Sequence, residues 1–354
     1  MTRRFWSDNV QHLTPYVPGE QPQHRELVKL NTNEHPFGPS QKVKAAVVEA
    51  VNASLRLYPD PQSIALRQAI ATYYQLPIST VFVGNGSDEV LAHIFHALFQ
   101  QKKPILFPDI TYSFYPVYCR LYQINYQQIP LREDLTLHID DYKQDNGGII
   151  FPNPNAPTGI LLSLAEIKNL LRLQPDSVIV VDEAYIDFGG ESAIQLVMDY
   201  PNLVVTQSFS KSRSLAGMRL GFAIAQPEII TALTRVKDSF NSYPIDNLAS
   251  AAGIAAMEDV AYFNQMQQYV IAERVRVTKA LQALGFQHTN SAANFVFVHH
   301  PQYEAKDLAS GLREQGVIVR HFQQPRIAQY LRITIGDESQ NNRLLALLEQ
   351  RLNE

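Results

Sequence analysis

Short, nearly continuous apolar runs alternate along this chain with stretches whose apolar residues recur at helical spacing. The runs at 81–83, 104–107, 148–151, 178–181, 203–206 and 220–225 read as strands buried on both faces, as in a mainly parallel sheet. Helical periodicity appears after Ser40, where Val43, Ala46, Val47 and Ala50 share one face, and again over 62–75. It returns after the turn Gly84-Asn85-Gly86, with Val90, Leu91, Ile94, Phe95 and Leu98 on one side and Ser87 or Asp88 as the expected cap. The fold class is therefore α/β, with a large domain whose mainly parallel sheet is flanked by helices. Ligands in such sheets lie beyond the carboxyl ends of the strands. Polar residues follow strands here: Asn153 and Asn155, then Asp182 and Tyr185, then Ser208 to Lys211.

The two ends of the chain break this rhythm. Residues 1–40 carry Pro15, Pro18, Pro22, Pro36 and Pro39, too many for a helix or a central strand, and read as an extended arm. After Ser242-Tyr243-Pro244, helical periodicity over 246–284 gives way to strand-like stretches at 294–298, 316–320 and 330–335 and a final helix. That is the outline of a smaller α/β domain. The expected division is an N-terminal arm over 1–40, a large domain over 41–245 and a small domain over 246–354.

Composition narrows the function classes. With 354 residues, 45% of them hydrophobic and 18% charged, the chain matches ordinary globular proteins and exceeds what one core usually holds. A net charge of −4 without a basic block argues against nucleic acid or an anionic membrane as partner, so any phosphate must be met in a local pocket. Cys119 is the only cysteine, which rules out an intramolecular disulfide and a thiolate metal site; no metal is expected. A single thiol fits a reducing compartment, and no run has the length of a membrane span or a signal peptide's apolar core, so a cytoplasmic location is expected.

The stretch SFSKSRSLAGMRLGF, 208–222, sets Lys211 between Ser208 and Ser210 and follows it with Arg219. Read alone it is a polar surface loop. Hydroxyls and a guanidinium around one amine also make an anion clamp with a nucleophile inside it. The strand, glycine turn and helix start over 81–88 offer a second anion site, because free N–H groups and the helix dipole converge there. Asp182 ends the apolar run VIVVD, and a carboxylate buried there needs a cation or a proton donor. Asp182 and Lys211 together are the pair that pyridoxal phosphate requires: an acid to keep the pyridine nitrogen protonated and an amine to hold the aldehyde.

The stretches NTNEHPFGPS, GNGSDE, PNPNAPTG, VVDEAYIDF, SFSKSRSLAGMRLGF and YLRITIG follow one another in the order, and at roughly the spacing, of the fold-type I pyridoxal-phosphate aminotransferases. Over nearly the whole chain the set most resembles the histidinol-phosphate aminotransferase family. The resemblance implies pyridoxal 5'-phosphate as cofactor, with Lys211 holding it and shuttling the substrate's Cα proton. It implies Asp182 as partner of the pyridinium nitrogen and Tyr185 as donor to the phenolate oxygen. Gly86, Ser87, Asp88, Ser208, Ser210 and Arg219 correspond to positions around the phosphate, some acting through backbone N–H groups, and Tyr112 to the aromatic residue on the ring face. Tyr58 corresponds to a tyrosine that reaches the phosphate in the neighbouring subunit, which implies a homodimer. The arm is implied to join the small domain. One departure stands out: the family's asparagine directly before Pro-Thr-Gly is Ala156 here, so either Asn155 supplies the amide or that bond is absent.

For the substrate, the resemblance implies that Arg332, in YLRITIG, binds a phosphate in one half-reaction and 2-oxoglutarate in the other. Arg320 is its implied helper, and Tyr16, Asn33 and Tyr243 line the pocket. The implied reaction converts L-histidinol phosphate and 2-oxoglutarate to imidazole acetol phosphate and glutamate. An aromatic amino acid aminotransferase or an O-phosphothreonine decarboxylase would share every cofactor residue, and both stay open. A nicotinamide dehydrogenase fits less well, because GNGSDE lacks the third glycine of the dinucleotide fingerprint.

Overall fold

The computed structural model describes residues 5–20 and 27–353; Pro22 of the arm lies outside the described residues. In chain order the strands are β1 (Val28–Leu30), β2 (Val81–Asn85), β3 (Ile105–Pro108), β4 (Tyr126–Ile129), β5 (Ile149–Pro152), β6 (Ile179–Asp182), β7 (Leu203–Ser208), β8 (Leu220–Ala225), β9 (Gln287–His288), β10 (Phe295–His299), β11 (Val317–His321) and β12 (Leu331–Thr334). One sheet has the order β2-β8-β7-β6-β5-β3-β4, the other β1-β11-β12-β10-β9. In the larger sheet β3 to β7 pair in parallel, and β8 alone runs against its neighbours.

The larger sheet is buried on both faces, which is why its strands lack alternation. Along β6, Ile179 and Val181 join one apolar layer with Ile70 and Ile167, while Val180 joins the opposite layer with Phe95 and Phe107. Each such side chain contributes about 1.5–3 kcal/mol by leaving water. β4 shows no apolar run for a related reason: it reads YQQI at the sheet edge and exposes its first three residues.

The turn before the helix Gly86–Leu98 corrects an expectation. Asn85, rather than Ser87 or Asp88, holds the cap position; it makes no side-chain cap bond, and its own N–H donates to Glu89 Oε2 at 2.6 Å. The chain can turn this early because Gly86 adopts φ +83°, a conformation glycine takes without a Cβ penalty. Ser87 and Asp88 thus fall in the first turn, where backbone N–H groups have no partner within the helix.

β1 pairs in parallel with β11 and brings the arm onto the edge of the smaller sheet. Just beyond it, the Asn33 N–H donates to Thr334 Oγ1 at 3.0 Å and Asn294 Nδ2 donates to the Asn33 carbonyl at 2.9 Å. These bonds fix the arm against β12 and the entry to β10. Among the described residues no helix is long and apolar enough to cross a membrane.

Candidate active site

Asp182 is the last residue of β6, and the parallel register sets it beside Thr206 of β7. Thr206 Oγ1 donates to Asp182 Oδ1 at 3.2 Å and the Tyr115 hydroxyl donates to Oδ2 at 3.0 Å. Burial pushes this carboxyl up to about 6, and the two donors limit the rise. Glu183, next in the chain, is buried in a separate network: it accepts from Ser192, the Ala193 N–H and Gln207, and burial pushes it up to about 7.

Lys211 follows β7. Its Nζ donates to the Thr32 carbonyl of the arm at 3.0 Å and lies 5.8 Å from the centre of the Tyr185 ring. The Tyr185 oxygen accepts from Asn33 Nδ2 at 3.0 Å, which leaves its own proton free to donate. Asn33 has φ 55° and is held at its backbone N–H, its carbonyl and its side-chain oxygen, so it acts as a fixed strut between the arm and Tyr185.

A cradle forms where β8 meets the first turn of the helix Gly86–Leu98. A Cβ on Gly221 would lie 2.3 Å from Ser87 N, and one on Gly86 would lie 2.5 Å from Arg219 Nη2, so both glycines permit the close approach. The carboxylate of Asp88 is taken by Arg219 at 3.0 Å and by the Tyr112 hydroxyl at 2.9 Å, and its carbonyl by the Tyr118 hydroxyl at 2.8 Å. Only its backbone N–H is left to meet an anion. Ser208 and Ser210 are buried beside the end of β7, with the Ser210 N–H donating to Ser208 Oγ at 3.1 Å. An uncapped helix start with a guanidinium and hydroxyls around it fits a phosphate. With Lys211 for an aldehyde and Asp182 for a ring nitrogen, the residues present fit pyridoxal phosphate.

The other side of the site is cationic. β11 and β12 run antiparallel and set Arg320 directly opposite Arg332. Among the described residues neither guanidinium forms a salt bridge with a carboxylate. Arg332 Nη2 donates to the Asn31 carbonyl at 3.0 Å, whereas its Nε is buried without a partner. Burial, with Arg320 opposite adding to it, lowers the Arg332 guanidinium below its ordinary value.

The remaining sequence candidates divide. Tyr112 lies edge-on to Tyr115, ring centres 5.6 Å apart, and Tyr16 packs on Phe114 at 4.8 Å, so the arm reaches the same aromatic wall. Tyr58 and Tyr243 stack on each other at 4.9 Å on the surface, Tyr58 being 83% exposed. Of the two alternatives for Asn155, the geometry favours the absent bond. Its Nδ2 donates to the Ile110 carbonyl at 3.1 Å and to Thr158 Oγ1 at 3.0 Å, so both amide protons are committed and none remains for a phenolate oxygen. The turn through Ala156 and Pro157 folds Thr158 back onto it, and only its buried Oδ1, an acceptor, lacks a partner. Tyr115 and Thr206, which aim Asp182, escape the sequence pattern: among 17 tyrosines nothing marks Tyr115, and Thr206 reads as one more strand residue.

Comparison with known proteins agrees with this geometry. The family model described as aminotransferase class I and II matches residues 25–348. The chain is 60% identical to histidinol-phosphate aminotransferase 1 of Pseudomonas fluorescens, over 97% of this chain and 98% of that protein. It is also 60% identical to the protein of the same name from Pseudomonas aeruginosa, over 98% of each. The fold is shared with the histidinol-phosphate aminotransferase of Sinorhizobium meliloti, solved in complex with pyridoxal-5'-phosphate: TM-score 0.89, 22% identity, 99% of this chain and 98% of that one. A lysine and a carboxylate at adjacent strand ends, a helix-start cradle and full-length matches of this kind leave one conclusion: the chain belongs to the aminotransferase class I and II family, in the branch formed by the histidinol-phosphate aminotransferases.

Proposed function

We propose that this chain is a pyridoxal-phosphate-dependent aminotransferase of histidine biosynthesis, moving the amino group of L-histidinol phosphate to 2-oxoglutarate and releasing imidazole acetol phosphate and glutamate. Family membership and the names of the 60% identical relatives support the reaction. One observation of the structure carries the substrate assignment: Arg320 and Arg332 oppose each other across β11 and β12, and among the described residues no carboxylate pairs with either. Two guanidiniums suit a phosphate dianion and, in the return half-reaction, a carboxylate of the oxo acid.

When bound, pyridoxal phosphate supplies an aldehyde and a ring that draws electron density from the substrate's Cα. Lys211 Nζ holds the cofactor and then takes the proton from Cα as general base. The Asp182 carboxylate holds the proton on the ring nitrogen, and Tyr115 and Thr206 aim it. Tyr185, oriented by Asn33, donates to the phenolate oxygen. The N–H groups at Gly86 to Asp88 bind the phosphate with Ser208, Ser210 and Arg219. Tyr16 and Asn33 would border the substrate, Tyr243 would reach it from beside Tyr58, and Tyr112 would lie against the cofactor ring. Exposure of Tyr58 together with Val48, Val51 and Leu57 supports a homodimer in which Tyr58 serves the neighbouring site. Small-molecule substrates, no nucleic acid, and a cytoplasmic location complete the reading. Its division into an arm to residue 40, a large domain to 245 and a small domain to 354 is supported by the two sheets.

Lys211→Ala tests the chemistry. The purified variant should lose the borohydride-reducible visible absorbance and about ten-thousandfold in turnover; keeping both would overturn the assignment. A coupled assay of L-histidinol phosphate against phenylalanine, tyrosine and phosphothreonine tests the substrate. Preference for any of the last three would remove the substrate assignment and leave the cofactor chemistry intact.

A further inference from the structure

Strand register places two like charges face to face at Arg320 and Arg332, an arrangement that is destabilising by itself. Phe322, just after β11, touches both. Arg320 Cζ lies 5.7 Å from the centre of its ring, and Arg332 Cζ lies 5.7 Å from the same centre. Both distances are within reach of the attraction between a cation and a ring's negative face. Phe295 adds a second ring 5.4 Å from Arg332.

Phe322 is held in turn from two sides. Its ring meets Phe297 nearly edge-on at 6.0 Å. Two and four residues further on, Gln324 Nε2 donates to the Asp109 carbonyl at 3.2 Å and Arg326 Nη1 to Asp109 Oδ2 at 2.7 Å; Arg326 Nη2 also donates to the Leu131 carbonyl at 2.8 Å. Asp109 and Leu131 lie just beyond the carboxyl ends of β3 and β4, so the loop that carries Phe322 from the smaller sheet is docked on the larger one.

We propose that Phe322 is a specificity-determining positioning residue: its ring holds Arg320 and Arg332 together as one dianion-binding unit. This deepens the anion reading given above and rests on it. An aliphatic residue of similar bulk would fill the same space but lacks the ring's quadrupole, so the two guanidiniums would separate and the phosphate would lose one of its two partners.

The test uses the holoenzyme and compares kcat and KM for L-histidinol phosphate with those for L-histidinol, which lacks the phosphate. Phe322→Leu should raise KM for the phosphate ester about tenfold, leave KM for L-histidinol unchanged, and act on KM rather than kcat. Phe322→Tyr should restore the wild-type ratio. A ring-fluorinated phenylalanine at 322 keeps the packing and weakens the negative face, so it should give an intermediate KM even where the leucine variant folds poorly. The proposal is overturned if Phe322→Leu and the fluorinated ring leave the ratio unchanged, or if Phe322→Leu lowers kcat on both donors alike. Arg332→Gln separates the two levels: if it too leaves the ratio unchanged, the anion reading fails, whereas an effect there without one at Phe322 removes only this inference.

Discussion

Among the described residues, a carboxylate lies buried at the end of β6 without a cation, whereas across β11 and β12 two guanidiniums lie opposite each other without a carboxylate. Neutral groups hold each in place: Tyr115 and Thr206 for Asp182, the Asn31 carbonyl and aromatic rings for Arg332. Each arrangement lacks the charge that a ligand would bring, a protonated ring nitrogen in one case and a phosphate in the other. The difference lies in how the two are built. Asp182 is set by strand register in a sheet buried on both faces, while the arginine pair depends also on a loop docked from one sheet to the other. The first should be rigid and the second adjustable, as suits a fixed cofactor and two alternating substrates.

Asp182→Asn should disturb the comparison most, lowering turnover about a thousandfold because the ring nitrogen loses the group that keeps its proton. The same variant carries a pH signature in cofactor-free protein. Burial raises the Asp182 carboxyl from 3.8 to about 6, so its stabilising contribution is full below pH 3.8 and is lost as pH rises through 6. Thermal melts should show the asparagine variant gaining on wild type, on the order of 2 kcal/mol, between pH 4 and pH 7. Parallel pH slopes for the two proteins would contradict the burial account. Glu183 titrates with the same sign in both and cancels in the difference.

Arg332→Gln comes next: KM for L-histidinol phosphate should rise about 100-fold while the visible spectrum of the bound cofactor stays as in wild type. A spectral change would mean that the two halves are not separable. Tyr115→Phe is the mirror experiment, weakening cofactor binding about tenfold, read by dialysis against free cofactor, with the phosphate donor's KM unchanged. The smallest effect belongs to Arg326→Ala. Its pair with Asp109 is partly exposed, so KM should change by no more than about threefold. An effect as large as that of Arg332→Gln would make loop docking, rather than the arginines, the source of anion affinity.

Much of the cofactor half was legible from residue order alone. Apolar runs end where Asp182 and Ser208 begin, and period and turn chemistry are local properties that a chain carries in its order. Local order also misled. It pointed to Ser87 or Asp88 as a cap, because it cannot show that Arg219 and Gly221 of β8 crowd Gly86 and Ser87 from more than 130 residues away. It left both readings of Asn155 open, because the Ile110 carbonyl that occupies its amide comes from another strand's loop.

The sequence by itself determined the alternation of buried strands and helices, the lysine and carboxylate that follow two of those strands, and the family to which their order is similar. Those are properties of neighbours along the chain. Only the tertiary structure decided that Tyr115 and Thr206 share Asp182, that Asn33 of the arm orients Tyr185, and that Phe322 sits between two arginines. Apart from Arg320 and Phe322, which are two apart in the chain, each of these contacts joins residues whose separation in sequence carries no periodic signal, and only the pairing of strands and the docking of one sheet on the other bring them within bonding distance.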